Sequence, residues 1–67
     1  MITRIGIVAG EIWHILERDG KVHLEDIVKK IDSPRDMVLM SVGWLAREGH
    51  IIFEGEPPNH IIFLRNK

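Results

Sequence analysis

The first third of the chain alternates apolar and polar residues at helical spacing and predicts an amphipathic helix over residues 2 to 18. At about 100° per residue, the apolar side chains fall on one broad stripe and the charged ones on the other side. The stripe consists of Ile2, Ile5, Val8, Ala9, Ile12, Ile15 and Leu16. Gly6 and Gly10 each lower the stability of such a helix by about 1 kcal/mol relative to alanine. We expect their spacing to let another backbone or a large ring approach closely, and Asp19-Gly20 to end the helix.

The next segments predict a helix-turn-helix unit. Residues 21–23 are long enough only for a short bridging strand, and a second helix is expected over 24–31. Ser33 precedes a proline, which suits the first position of a helix, and we expect Ser33 to cap the third helix, residues 34–48. Gly49 is the residue expected to end it. Two helices joined by so short a turn are typical of the helix-turn-helix.

The last segment predicts a β-hairpin. Residues 50–54 and 60–65 are rich in β-branched and aromatic side chains, and the glycine, prolines and asparagine of 55–59 predict a loop between them. The order of helix, short strand, helix, turn, helix and hairpin predicts an α+β fold. We assign residues 1–67 to a single winged helix-turn-helix domain with the hairpin as its wing.

Two stretches of the sequence, residues 5–13 and 42–49 with the start of the wing after them, carry paired glycine and tryptophan residues. They resemble a family of small prokaryotic winged helix-turn-helix domains of unknown function. The resemblance covers nearly the whole chain. It implies a winged-helix fold and, by analogy, a DNA-binding or regulatory role, and it supplies no catalytic residues. The double proline of the wing is a departure, since it leaves Glu56 and Asn59 at the wing tip in place of basic residues.

Composition narrows the possible functions. The 67 residues include 9 Lys plus Arg and 10 Asp plus Glu, a formal net charge of -1, whereas small nucleic-acid binders usually have a basic excess. No cysteine is present, which excludes disulfides, thiolate catalysis and cysteine-ligated metals. No apolar run could span a bilayer and no secretory pattern is seen, so we expect a cytoplasmic protein without membrane contact.

The four histidines do not predict a metal site. None of His14, His23, His50 and His60 is spaced four residues from another on a helix, although the last three start strands and could be neighbours in the sheet. A metal site needs convergent ligands, and solvated or strand-edge histidines are the simpler interpretation. We therefore expect no enzyme activity, no cofactor and no small-molecule ligand.

In a helix-turn-helix protein the outward residues of the third helix read DNA, and reading requires hydrogen-bond donors and acceptors. Val38, Val42 and Leu45 form the stripe expected to face the core, and a second apolar stripe of Met37, Met40 and Trp44 must pack on the wing or stay exposed. The DNA-contacting candidates are Arg35, Ser41 and Arg47, with Lys29, Lys30, Arg65 and Lys67 as backbone contacts. This is a poor DNA-reading face.

The hairpin, like the third helix, has more apolar residues than one buried face requires, because both faces of its last strand are apolar. A chain of this size has too little mass to cover two helix stripes and two wing faces, and exposed apolar surface marks an interaction site. We therefore predict a homodimer, with interface candidates Leu39, Met40, Trp44, Ile52, Ile62 and Leu64. We interpret the chain as a DNA-binding, transcriptional-regulator-like homodimer that acts on double-stranded DNA. The alternative is a winged-helix interaction and dimerisation module that does not bind DNA.

Overall fold

The elements of the structure follow the predicted order. This computed structural model describes residues 2–56 and 59–65, with side chains from Arg4 onward, so the predicted roles of the Ile2 side chain, the double proline and Lys67 lie outside the described residues. The elements are α1 (Ile2–Asp19), β1 (Val22–His23), α2 (Leu24–Lys30), α3 (Arg35–Arg47), β2 (Ile51–Glu54) and β3 (Ile61–Leu64). Every predicted boundary lies within one residue of the observed one, which confirms the winged helix-turn-helix arrangement.

The three strands form one antiparallel sheet in the order β1-β3-β2. The central strand β3 connects the wing to the helices, since Ile62 lies opposite Val22 of β1 and opposite Phe53 of β2. A backbone bond extends this connection, because the Leu24 N–H at the start of α2 donates to the His60 carbonyl at 3.0 Å. The wing is therefore held to the helix-turn-helix unit by main-chain bonds on the β1 side of β3, and β2 is attached through β3.

The core lies between the three helices and one face of the sheet. Val38, Val42 and Leu45 of α3 are buried, as the sequence predicted for the inward stripe of that helix. α1 contributes the predicted residues Val8, Ala9, Ile12 and Leu16, with Ile15 packed at the margin, and the remaining buried apolar residues are Val22, Ile27, Ile31, Ile51, Ile62 and Leu64. Burial of such side chains stabilises a fold by about 1.5–3 kcal/mol each, before the entropy cost of ordering them.

Both predicted helix ends are confirmed. Gly20 follows α1 with a φ of 80°, and Gly49 follows α3 with a φ of 79°. Residues other than glycine rarely adopt such a positive φ. At the end of α3 the Gly49 N–H donates to the Ala46 carbonyl and the His50 N–H to the Leu45 carbonyl, both at 3.0 Å. This is the Schellman arrangement, which satisfies two carbonyls that the helix leaves unpaired.

The predicted Ser33 cap is wrong. The residue at the helix boundary is Pro34, and no side chain caps this end of α3. Ser33 lies one residue too far from the first turn, and its own N–H donates to the Ile31 carbonyl at 2.9 Å. The Pro34 carbonyl instead accepts from the Val38 N–H at 3.1 Å and so begins the helical ladder. Among the described residues, no helix is long and apolar enough to cross a membrane.

Candidate interaction surface

The residues of α3 that point away from the core form a narrow stripe of mixed character. Asp36, Met40, Gly43 and Arg47 recur at intervals of three and four residues, which places them on one side of the helix. That side is opposite the buried Val38, Val42 and Leu45, and all four residues are exposed, Met40 to 50%. We call these four residues the outer stripe of α3. The stripe has an acid at one end and a cation at the other, and between them lie the Met40 side chain and Gly43, which has none.

A shallow groove lies beside the outer stripe, where α3 packs on α1. Its volume is about 250 Å³, and it is lined by Gly6, Ala9, Gly10, Trp13, Trp44, Leu45 and His50. The Trp13 ring packs edge-on against His50, with ring centroids 5.1 Å apart, and Trp44 remains 45% exposed. We call this feature the α1–α3 groove. It places an exposed indole next to Met40, so that apolar surface continues from one helix to the other.

The close approach of a backbone or large ring expected at Gly6 and Gly10 is not made by the described residues of this chain. A Cβ atom built on Gly6 or Gly10 would meet no heavy atom within 4 Å, and neither residue has a positive φ. The same holds for Gly43 in the outer stripe. Among the described residues, therefore, neither backbone conformation nor packing requires glycine at these three helical positions.

Ser41 is not available to bases. Its side chain is fully buried, and its Oγ donates to the Met37 carbonyl at 2.8 Å. On the helix it lies on the same side as Val38 and Leu45, so the expectation that it reads DNA is wrong. The outer stripe, rather than Ser41, faces solvent.

Two of the predicted DNA contacts are already paired with carboxylates. Both terminal nitrogens of Arg35 donate to Glu25 at 2.8 Å, and this contact lowers the pKa of Glu25. Lys30 donates to Asp19 at 3.0 Å. Hydrogen bonds from Arg18 and Lys30 hold the pKa of the Asp19 carboxyl well below its usual range. A phosphate would have to compete with these carboxylates for both cations.

The structure describes three further cations among the predicted DNA contacts, and these lack carboxylate partners among the described residues. Lys29, Arg47 and Arg65 are exposed, and none of them forms an ion pair within residues 4–56 and 59–65. A Cβ built on Gly49 would lie 3.5 Å from a terminal nitrogen of Arg65, so Arg65 and Arg47 both lie at the carboxyl end of α3. A helix carboxyl end carries partial negative charge, which cations there offset, so these positions also have a structural explanation.

The predicted dimer contacts divide into two groups. Met40, Trp44 and Ile52 are exposed and Leu39 is half-buried, so they stay candidates. Ile62 and Leu64 are buried in the chain's own core, and the expectation that they are exposed is wrong. The pairing of β3 with both neighbouring strands turns these two alternate residues toward the helices.

Two exposed apolar residues were missed by the predicted interface. Ile7 is 59% exposed, and its position outside the apolar stripe of α1 was the available signal. Phe53 is also exposed, although its partner in the sheet, Ile62, is buried. Phe53 lies beyond the edge of the core and packs edge-on against His60, with ring centroids 5.8 Å apart. No sequence pattern indicated that.

The outer face of the sheet is less open than the α1–α3 surface. Lys21 extends over it, with its Nζ 4.9 Å from the centre of the Phe63 ring and 3.2 Å from a Glu54 carboxylate oxygen. The lysine stem therefore covers part of the apolar surface while the ammonium group stays solvated. Of the two apolar surfaces, the one on α1 and α3 lacks such a cover among the described residues.

The histidines do not converge. His14 lies 3.8 Å from Glu17 on α1, whereas His50 packs on Trp13 and His60 on Phe53. Within the described part of the chain, no group of three or more histidine, aspartate or glutamate side chains could hold a metal ion.

Comparison with known proteins agrees with this geometry. The model of a family described as a winged helix-turn-helix domain (DUF2582) matches residues 1–64. The uncharacterized protein MJ1608 of Methanocaldococcus jannaschii is 36% identical over 67 residues, which cover 97% of this chain and 96% of that protein. The solution NMR structure of BT2368 from Bacteroides thetaiotaomicron has a TM-score of 0.79 at 25% identity, with 94% of this chain and 77% of that one covered.

A second solved structure shows the same fold. It is a HOP2 structure whose published description refers to DNA recognition and protein interaction domains. Its TM-score is 0.67 at 21% identity, with 92% of this chain and 98% of that one covered. At this identity the likeness establishes the fold alone.

Proposed function

Since the chain belongs to the winged helix-turn-helix domain family DUF2582, its third helix occupies the position from which such folds contact their partners, and we propose that this partner is a protein chain. The domain acts as a homodimeric interaction module in the cytoplasm, and no reaction, cofactor or small-molecule ligand is part of the proposal. The observation that carries it is the chemistry of the surface around α3. Base edges and phosphates are bound by donors and cations, whereas this surface presents methionine, glycine and tryptophan with one arginine and one aspartate.

The composition of the surface matches that of protein interfaces. Their buried centres are enriched in aromatic residues, methionine and arginine and depleted in other charged residues. Met40 and Trp44 are the large apolar side chains exposed here, and Arg47 lies at one end of the outer stripe. Arg35, the other arginine of α3, is held by Glu25 and does not add to a basic patch.

Photo-crosslinking from position 40 tests the proposal in the cells that make the protein. A benzophenone side chain replaces Met40, and the expected products are adducts whose added mass is protein. The same group at Asp26, an exposed residue of α2 with no ion pair among the described residues, is the matched control and should give few adducts. Adducts that contain nucleic acid, in greater yield from position 40 than from position 26, would contradict the proposal.

DNA binding is the second candidate, as a transcriptional-regulator-like dimer. It is supported by the exposed Lys29, Arg47 and Arg65 and by the fold shared with HOP2, whose description refers to DNA recognition. Fluorescence anisotropy with labelled duplexes at low salt tests it. Binding that weakens with salt, with a log–log slope of roughly −0.9 for each phosphate contact, and that is reduced by Arg65→Ala, would establish it. An absence of binding to every duplex at low salt would exclude it.

A further inference from the structure

The outer stripe of α3 is self-complementary under a two-fold rotation. Asp36 precedes the midpoint of the stripe by as many residues as Arg47 follows it, and Met40 and Gly43 are likewise equidistant from that midpoint. If two copies of this helix pack antiparallel about the midpoint, Asp36 of each copy faces Arg47 of the other. Met40 of each copy then faces the bare backbone at Gly43 of the other.

We propose that a second copy of this chain covers the outer stripe in this antiparallel register. The inference rests on the proposed function and specifies the partner and the contact. Each dimer contains two Asp36–Arg47 pairs at the ends and two Met40–Gly43 contacts in the centre. Symmetric pairs of this kind are what an isologous interface requires, since the same patch serves both subunits.

The charges of the outer stripe are free for such a contact. Asp36 and Arg47 are exposed, and neither forms an ion pair within the described residues. They lie eleven positions apart, about 16 Å along the helix axis at 1.5 Å per residue, so they cannot pair with each other within one copy. Opposite charges at the two ends of one stripe match a second, reversed copy of the same stripe, whereas a phosphate backbone would repel Asp36.

The shape of the outer stripe fits the same partner. A Cβ at Gly43 would meet no atom within 4 Å, so a side chain from a second copy has room there. Met40 is 50% exposed, and its unbranched side chain adapts to an irregular recess. A glycine at the crossing point also lets the two helix axes approach to the short end of the usual 8–10 Å.

A stable dimer needs more contact area than the four residues of the outer stripe provide. A standard interface takes about 800 Å² from each partner, and the chain exposes 4542 Å² in all. The 13 residues of α3 span roughly 20 Å. Trp44 lies on the flank of the outer stripe that faces α1, next to the α1–α3 groove. The apolar surface beside the stripe can therefore supply contact area beyond the four stripe residues.

Charge exchange at the two ends of the stripe tests the register. Asp36→Arg places arginine against Arg47 in both pairs, and Arg47→Asp places two acids together. In sedimentation equilibrium from micromolar to millimolar concentration, each single variant should show a dimer Kd raised by about 100-fold, because like charges face each other twice per dimer. The double variant should dimerise again, and an equimolar mixture of the two single variants should form a heterodimer.

Two controls separate a contact effect from a folding effect. Asp26→Arg reverses an exposed charge on α2 and should leave the dimer Kd unchanged. Gly43→Leu is a further test and not a control: it fills the space that Met40 of the partner would occupy, and it should weaken the dimer. Thermal melts of all variants, recorded where the protein is monomeric, should remain cooperative.

The outcomes distinguish the inference from the proposed function. Weaker dimerisation of the single variants, together with restored dimerisation of the double variant and of the mixture, supports this register. A dimer that is insensitive to charge exchange overturns the inference and leaves the homodimeric module in place. A chain that remains monomeric at millimolar concentration overturns both the inference and the homodimer, and crosslinks from position 40 to a different protein would then show an interaction module without self-association.

Discussion

Replacing Gly10 by alanine should stabilise the protein. Gly10 lies in the middle of α1, its φ is not positive, and a Cβ there would meet no atom within 4 Å. The substitution therefore adds helix propensity without adding a clash. Glycine in a helix interior is about 0.8–1.0 kcal/mol less favourable than alanine, so Gly10→Ala should raise the free energy of unfolding by about that amount. For a domain of this size, 1 kcal/mol corresponds to a rise in Tm of about 4–8 °C.

Gly49→Ala is the matched control, because it makes the same chemical change with the opposite expected sign. Gly49 has a φ of 79°, where an alanine costs about 1–2 kcal/mol. Its Cβ would make only an ordinary contact, 3.5 Å from Arg65, so the expected loss is conformational. Urea unfolding followed by tryptophan fluorescence measures both variants, since Trp13 and Trp44 lie beside the α1–α3 groove.

The measurement on Gly10→Ala is made at the lowest concentration that the fluorescence allows, so that the folded monomer is compared with the unfolded chain. A loss of stability in Gly10→Ala under these conditions would refute the reasoning, because it would mean that atoms of the same chain occupy the space beside Gly10. A loss that appears only at high concentration would instead place another chain in that space.

The remaining predictions concern the core, the charged contacts and α3. Ile62→Ala should cost about 2–5 kcal/mol in urea unfolding because Ile62 is fully buried, whereas Ile52→Ala, at an exposed position of the next strand, should cost less than about 1 kcal/mol. The folded-state pKa of Asp19 lies below its ordinary value, so its contacts stabilise the protein above about pH 4 and that contribution is lost as the pH falls further. NMR titration should show the Asp19 pKa moving back toward its ordinary value in Lys30→Ala. Ser41→Ala should change stability by less than about 1 kcal/mol and leave any DNA binding measured by anisotropy unchanged, because the buried hydroxyl donates to the Met37 carbonyl and does not face solvent.

The helix and strand boundaries could be predicted because their signals are local. Gly20 and Gly49 supply the backbone conformation that a helix end needs, and the period of the apolar residues distinguishes helix from strand. The failed Ser33 cap shows the limit of this reasoning. A cap depends on which single residue lies at the helix boundary, and a boundary known to within one residue does not determine that.

The burial of the wing could not be predicted from its own sequence. Both faces of β3 are apolar, so the alternation of side chains leaves open which face meets the core. The pairing of Ile62 with Val22 decides it, and that contact joins segments 40 residues apart. The bond from Arg35 to Glu25 is of the same kind, since it depends on how α2 and α3 pack and no spacing rule predicts it.

Charge placement is the basis on which we propose a protein partner rather than DNA. The contacts Lys21–Glu54, Lys30–Asp19 and Arg35–Glu25 each join different parts of the fold, so these cations face carboxylates of the same chain. Exposed pairs of this kind contribute at most about 1 kcal/mol each, and a domain this short has a small margin of stability from its core. A partner that covers the outer stripe of α3 would add to that margin by mass action, because it binds the folded chain and not the unfolded one. We therefore propose contact between proteins, rather than contact with phosphates, as the role of an exposed helix stripe that carries one charge of each sign.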